Sequence, residues 1–268
     1  IVDLITSSPI YSAVNMFDLL GFEQKNRYCI LVSLFCALFL SFHSVSQAEI
    51  TMDGSLGPKM VLSGPDYQIK AEYGRVLNNS NLFHSFGKFN IDTGQSANFS
   101  GPDIIKNIIG RVTGGSLSNI NGLISSDLPA NFYLMNPGGF IFGPDAGLDI
   151  NGSFHVSTSN FISLGNNGIF YADPIKTSLL TVDPPTAFGF LNSEPAAILI
   201  QDSSLEVPEK QTISLLGGDI EITGTNANPG VIAPGGRIDI ASVASPGRVI
   251  PIAFDKAPDL MTDTFTSF

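Results

Sequence analysis

A chain of 268 residues with 27 glycines, 17 prolines, 20 phenylalanines and no tryptophan can bury a sizeable core but is poorly suited to helices. A formal net charge of −11, with only 14% charged residues, excludes the clustered Lys and Arg of a nucleic-acid surface. Gly and Pro at this frequency suit many short strands joined by turns.

Residues 1–24 carry no pattern that assigns them a structure. The chain begins at Ile1, so the reading places its natural start elsewhere, with Met16 a candidate initiator. The run CILVSLFCALFLSF (29–42) is uncharged and holds both cysteines, Cys29 and Cys36. It falls short of the roughly 20 apolar residues that a membrane-spanning helix needs. Lys25 and Arg27 precede it, and Ser46-Gln47-Ala48 comes after it, with small residues at −3 and −1. This order predicts a secretory signal peptide over 25–48, cleaved between Ala48 and Glu49, and entry into the general secretory translocon. The alternative is an uncleaved N-terminal anchor. Beyond Ala48 there is no cysteine, so an exported product must be held by packing and backbone ladders alone.

From Glu49 onward no long window keeps apolar residues at helical spacing. EITMDGSLG (49–57) and YQIKAEYGRV (67–76) are more polar than the later segments and read as a cap over a first coil. DIIKNII (103–109) fits one helical turn or a strand, ended by Gly110. Next come FYLM (132–135), FIF (140–142), GLDI (147–150), SFHVST (153–158), AAILI (196–200), SLEV (204–207) and TISLL (212–216). Runs this short, bounded by Gly, Pro, Asn or Asp, predict an all-β fold. GGDIEI (217–222) recurs as GGRIDI (235–240), a step of 18 residues, and Ile200 precedes Ile220 by 20. A period near 20 predicts a solenoid whose coils stack their apolar rows. The isoleucines are expected inside and the charges outside, with Asp219 beside Arg237. The expected turns are Gly114-Gly115, Asn121-Gly122, Asn151-Gly152, Gly217-Gly218 and Gly235-Gly236, where Gly and Asn tolerate positive φ. The repeat still runs at Ile240, so the reading expects residues 166–268 to be continuing coils of a longer protein.

LFHSFGKFNIDTG (82–94), NIIGRVTGGSLSNINGLI (107–124) and NFYLMNPGGFIFGPDAGLDINGSFHVSTSNF (131–161) resemble the N-terminal secretion domain of filamentous-haemagglutinin-type exoproteins of two-partner secretion. The resemblance begins near Glu49, is strongest to about Leu164, and sets a domain over 49–165. It implies a right-handed, single-stranded parallel β-helix of the pectin-lyase-like type, with an N-terminal cap and extra-helical β-elements. It further implies recognition in the periplasm by an outer-membrane β-barrel transporter, and export to the surface of a Gram-negative-type bacterium. Family members are large adhesins, haemolysins or contact-dependent toxins, whose activity and host-surface ligands belong to regions further along. The family's turn Asn-Pro-Asn-Gly reads Asn136-Pro137-Gly138-Gly139 here, the candidate recognition motif. Pro sets φ at the second position and Gly at the third accepts positive φ, so the turn is expected to survive. The family's Asn-Pro-Asn-Leu has only a loose echo in Asn79-Ser80-Asn81-Leu82.

No catalytic residue, metal ligand or cofactor is assigned. His84 and His155 lie far apart in apolar segments and read as structural. Parallel β-helices also host pectin-degrading enzymes, which gather acids and a cation on one sheet face. Asp219, Glu221, Arg237 and Asp239 form that alternative, a carbohydrate-active site, if coils stack at 18 residues. The third reading is that the segment is itself adhesive.

Overall fold

The computed structural model describes residues 49–78, 80–225 and 227–250, together with the strand at 259–260. The expected signal peptide, residues 1–24, both cysteines and the expected cleavage donor Ala48 lie outside the described residues. Glu49 is the first described residue; its carboxylate accepts from Lys88 Nζ at 2.8 Å. Among the described residues no helix is long and apolar enough to cross a membrane.

The chain is a β-solenoid of about 6 turns. Its opening strands are β1 (Ile50–Asp53), β2 (Lys59–Val61), β3 (Asp66–Lys70) and β4 (Arg75–Leu77). The first long rung is β5 (Asn81–Phe89), followed by β6 (Ser96–Ser100). Each complete coil then has three strands. The first is β7 (Asn107–Val112), β8 (Ser118–Ile120) and β9 (Leu123–Ser126); the next is β10 (Asn131–Met135), β11 (Phe140–Phe142) and β12 (Gly147–Asp149).

Strand β13 (Phe154–Ser157) starts another coil, but the chain then leaves the solenoid. It builds an antiparallel sheet from β14 (Phe161–Leu164), β15 (Gly168–Tyr171) and β16 (Pro185–Phe190), and rejoins the coil path at β17 (Ile198–Gln201) and β18 (Ser204–Glu206). The boundary read between residues 165 and 166 falls inside the β14–β15 hairpin. Strands β19 (Thr212–Gly217), β20 (Ile220–Thr223) and β21 (Gly230–Ile232) make the following coil, and β22 (Arg237–Ser242) opens the last described one. Strands β23 (Gly247–Ile250) and β24 (Asp259–Leu260) then join the antiparallel sheet.

Three faces result. The main sheet carries β5, β7, β10, β13, β19 and β22 in parallel, flanked by smaller sheets β20-β17-β11-β8 and β12-β9-β6-β3. Parallel register aligns Leu82, Ile108, Phe132, Phe154, Ile213 and Ile238 in one inward column. Rungs ~4.8 Å apart leave such side chains no neighbour but their own column and the facing sheet. Phe132 meets Phe99 edge-on at 4.7 Å and Phe154 at 5.8 Å. Full burial of each such side chain contributes about 1.5–3 kcal/mol.

Of the two segments expected to form the cap, 49–57 and the end of 67–76 supply antiparallel strands, whereas β3 pairs in parallel with β6 and belongs to a coil sheet. β4 pairs with the first half of β5 and β1 with its second half, so the first rung presents no free edge on that side. The outward face of the main sheet is not solvated either. The antiparallel sheet packs on it, and Phe83, Ile109, Tyr133, Phe170, Phe188 and Phe190 form a second buried core.

Four sequence expectations change. GGDIEI and GGRIDI do not stack: β20 pairs with β17 on a minor sheet, whereas β22 pairs with β19 on the main sheet. The true step is 22 residues from Ile198 to Ile220 and 25 from Ile213 to Ile238. In β22 the facing is as expected, with Ile238 and Ile240 continuing the inward columns of Ile213 and Leu215 and Asp239 lying outward, but the burial is inverted: Asp239 is 6% exposed, whereas Ile238 and Ile240 are 43% and 51% exposed. No coil lies over those columns among the described residues. Gly110 does not end its strand but sits within β7, where a Cβ would approach Leu134 Cδ1 to 3.1 Å and Phe86 Cε2 to 3.2 Å. Finally, Gly114, Gly122, Gly152, Gly218 and Gly236 lie outside the positive-φ region. A Cβ at any of them would come within 1.9–2.5 Å of a carbonyl oxygen of the preceding coil. These corners need glycine for close stacking; of the expected corner glycines outside the Asn136 turn, Gly115 and Gly235 alone carry positive φ.

Candidate functional site

The turn Asn136–Gly139 links β10 to β11 directly above the 113–118 segment of the preceding coil. Asn136 is completely buried and works as an internal brace. Its Nδ2 hydrogens are shared among Ser116 O at 2.9 Å, Ser118 Oγ at 2.9 Å and Gly139 O at 3.1 Å. Its Oδ1 accepts from Gly138 N at 2.8 Å, an Asx turn. The backbone closes with Gly139 N donating to Asn136 O at 3.0 Å. Pro137 and Gly138 are left half-buried at the rim.

The expected turn survives, but the positive φ sits elsewhere. Gly139 has φ +100 and Gly138 does not enter that region, so the fourth position, not the third, demands glycine. Gly138 has a different reason: a Cβ there would lie 2.6 Å from Ser116 O. At this coil spacing an asparagine in its place would require the Ser116 backbone to move.

The turn opens onto a cavity of about 360 Å³ whose far wall is the loop after β15, including Asp173, Pro174 and Lys176. Sequence reasoning did not join these elements, because nothing local announces that residues 173–176 return beside residue 137. The other expected turns brace coils in similar fashion. Asn121 Nδ2 donates to Thr93 Oγ1 at 2.7 Å, and its Oδ1 accepts from Asp145 N at 2.9 Å, a ladder across three coils. Asn151 Nδ2 donates to Ser126 O at 3.3 Å. Asn81 donates to the carbonyls of Thr181 at 3.0 Å and Asp183 at 2.7 Å, tying the first rung to the extra-helical segment.

A polar junction missed in the sequence centres on Arg111, 3% exposed. Its Nε donates to Ser85 Oγ at 2.7 Å, Nη1 to the Tyr171 carbonyl at 2.5 Å and Nη2 to Ser55 Oγ at 2.8 Å, while its guanidinium lies 4.7 Å from the Phe170 ring centroid. Asp53 completes it, accepting from Ser85 Oγ at 2.7 Å and Thr113 Oγ1 at 2.9 Å. Burial pushes the Asp53 carboxyl up, but the donors Ser55, Ser85 and Thr113 outweigh it and hold it below the ordinary value. Burial lowers the Arg111 guanidinium, with Asp53 and Asp173 opposing.

His84 and His155, the histidines among the described residues, are packed in the two cores. Burial lowers His84 to about 3, between Phe86 and Phe99, and neither ring nitrogen has a hydrogen-bond partner. Burial lowers His155 to about 4; it stacks 4.5 Å from Tyr133, and its Nδ1 meets Ser214 Oγ at 2.8 Å. The four residues of the carbohydrate-active reading do not converge on one ladder. Asp219 and Glu221 belong to the β20 side, whereas Arg237 pairs with Asp239 within β22. Among the described residues no three His, Cys, Asp or Glu side chains gather to hold a metal.

The chain matches the TPS secretion domain over residues 48–260. It belongs to that family. No curated protein matches it. The TPS domain is a secretion module rather than a catalytic one, and it implies a cognate outer-membrane transporter and export across the outer membrane of Gram-negative bacteria. The match spans the cap, the coils and the antiparallel sheet together, so the extra-helical excursion lies within the domain.

Proposed function

We propose that this TPS domain is the recognition and folding-nucleation segment of a large surface exoprotein of the adhesin, haemolysin or contact-dependent toxin class. In this reading a signal peptide cleaved after Ala48 delivers the chain to the periplasm through the general secretory translocon. The transporter's soluble region then reads the Asn136–Gly139 turn and an exposed β-edge by strand addition. Outside, each new coil folds on the one before it, and the apolar area it buries drives the chain outward without ATP. Any host-surface ligand is bound by regions beyond this domain.

The observation that carries the reading is the split character of the turn. Asn136 is fully buried and braced by six hydrogen bonds, counting its own amide N–H to Ser157 O and the Gly139 N–H to its carbonyl, while Pro137 and Gly138 stand half-exposed at the mouth of a cavity. A rigidly held rim is what a partner reads at low entropic cost. Deleting residues 131–142 would remove the buried rung β10 and unfold the solenoid, so a milder change is needed. Pro137→Glu in a secretion reporter is expected to leave the purified protein's melting temperature close to the parent's and to trap the reporter in the periplasm. Undiminished export overturns the role given to this turn.

A further inference from the structure

A second cavity, of about 310 Å³, lies on the other side of the 173–176 loop. Three cations line it, Arg75 on β4, Arg111 on β7 and Lys176 on the loop, together with Ser55 and no acidic residue. That is unexpected in a chain of net charge −11. Arg75 and Lys176 are exposed, whereas Arg111 is fixed by the junction described above. Three of its guanidinium hydrogens are committed to Ser85, Tyr171 and Ser55. A guanidinium has five, so one N–H on each Nη has no protein partner among the described residues. The acids that act on Arg111, Asp53 and Asp173, lie outside the lining, and Asp53 is already engaged by its hydroxyl donors.

A guanidinium with N–H groups to spare, flanked by two exposed cations, suits a carboxylate. Leu56, Pro174, Leu179 and Leu180 add an apolar wall, which suits an acidic side chain carried on a peptide better than a free inorganic anion. Pro174 and Lys176 line this cavity and the one beside the Asn136 turn, so one partner segment can cross the loop and occupy both. Ile175, between them, is 91% exposed and forms the apolar crest of that loop.

We infer that the Arg75–Arg111–Lys176 cavity is a carboxylate-binding pocket that takes an acidic side chain from the transporter's periplasmic region. This rests on the transporter reading above and names the chemistry of its second anchor. The test titrates the secreted chain with the purified periplasmic region of its cognate transporter at low and high salt. The variant is Arg75→Gln/Lys176→Gln, whose positions are exposed and outside the Arg111 junction; circular dichroism and melting confirm its fold. The expected result is an affinity about tenfold lower at low salt, with a shallower salt dependence. Restoration of binding to Arg75→Glu/Lys176→Glu by an acid-to-Lys change on the transporter supports the pocket directly. Unchanged affinity and salt slope, while Pro137→Glu still weakens binding, overturns the pocket and leaves the turn reading standing. No binding by the unaltered chain overturns both.

Discussion

Phe132 and Tyr133 are neighbours in β10 yet belong to different cores. Phe132 points into the solenoid, stacked between residues of adjacent coils. Tyr133 points outward, against His155 and Phe188, under the antiparallel sheet. The inner core repeats: one register brings a similar side chain onto each rung, and every coil is both floor and ceiling. The outer core is assembled once, from an excursion that leaves the coil path after β13 and returns at β17. The inner core is therefore extensible, whereas the outer one is tailored to this part of the chain. That contrast separates what stabilises a coil from what marks out this face of the domain.

Paired truncations break the comparison most strongly. Phe132→Ala is expected to lower global stability by about 3–5 kcal/mol, read from denaturant unfolding, because the column cannot collapse around the void. Phe188→Ala removes the same chemistry from the outer core. It is expected to speed amide exchange across 161–190 while 107–112 and 131–135 keep their protection. Equal loss of protection in both regions would show that the two cores melt as one.

Acid probes the same two faces with a smaller effect, since His84 belongs to the inner core and His155 to the outer. Both have folded values below the unfolded 6.5, at about 3 and about 4, so the unfolded chain takes up protons first as pH falls. Their contribution is present above pH ~6.5 and is lost progressively below it, by roughly 2 kcal/mol per histidine between pH 7 and 5. A urea midpoint that does not move over that range contradicts this. The smallest expected effect is the most discriminating. His84→Leu removes two unpartnered ring nitrogens from the inner core and should stabilise by about 1 kcal/mol, whereas His155→Leu orphans Ser214 Oγ and should destabilise.

Strand identity was legible because FYLM, FIF and TISLL are short, largely apolar runs that end at Gly, Asn or Pro whatever sheet they join. The same locality hid the topology. GGDIEI and GGRIDI carry one signal, a tight corner followed by a strand, and that signal does not say which face of the coil comes next. Corners of unequal length spoil the period, so a step of 18 masked true steps of 22 and 25. The excursion escaped notice because antiparallel and parallel strands of four residues look alike. Its consequence was the inverted burial of β22, where the outward Asp239 is covered by a sheet the local pattern cannot announce. At the candidate site, the Asn-Pro-Gly-Gly letters announced the turn but misplaced its positive φ. The loop across the cavity, 37 residues further along at Asp173 from Asn136, left no local trace.

The Arg111 guanidinium touches side chains from positions 55 and 85 and a carbonyl from position 171. No contiguous stretch supplies those three contacts. A growing polypeptide that has reached only its second rung holds the charged group without its last acceptor, and the junction closes only when the hairpin has come back across the surface. Any protein that senses this corner is therefore gauging whether a long span of the chain has finished folding, rather than reading a short tag.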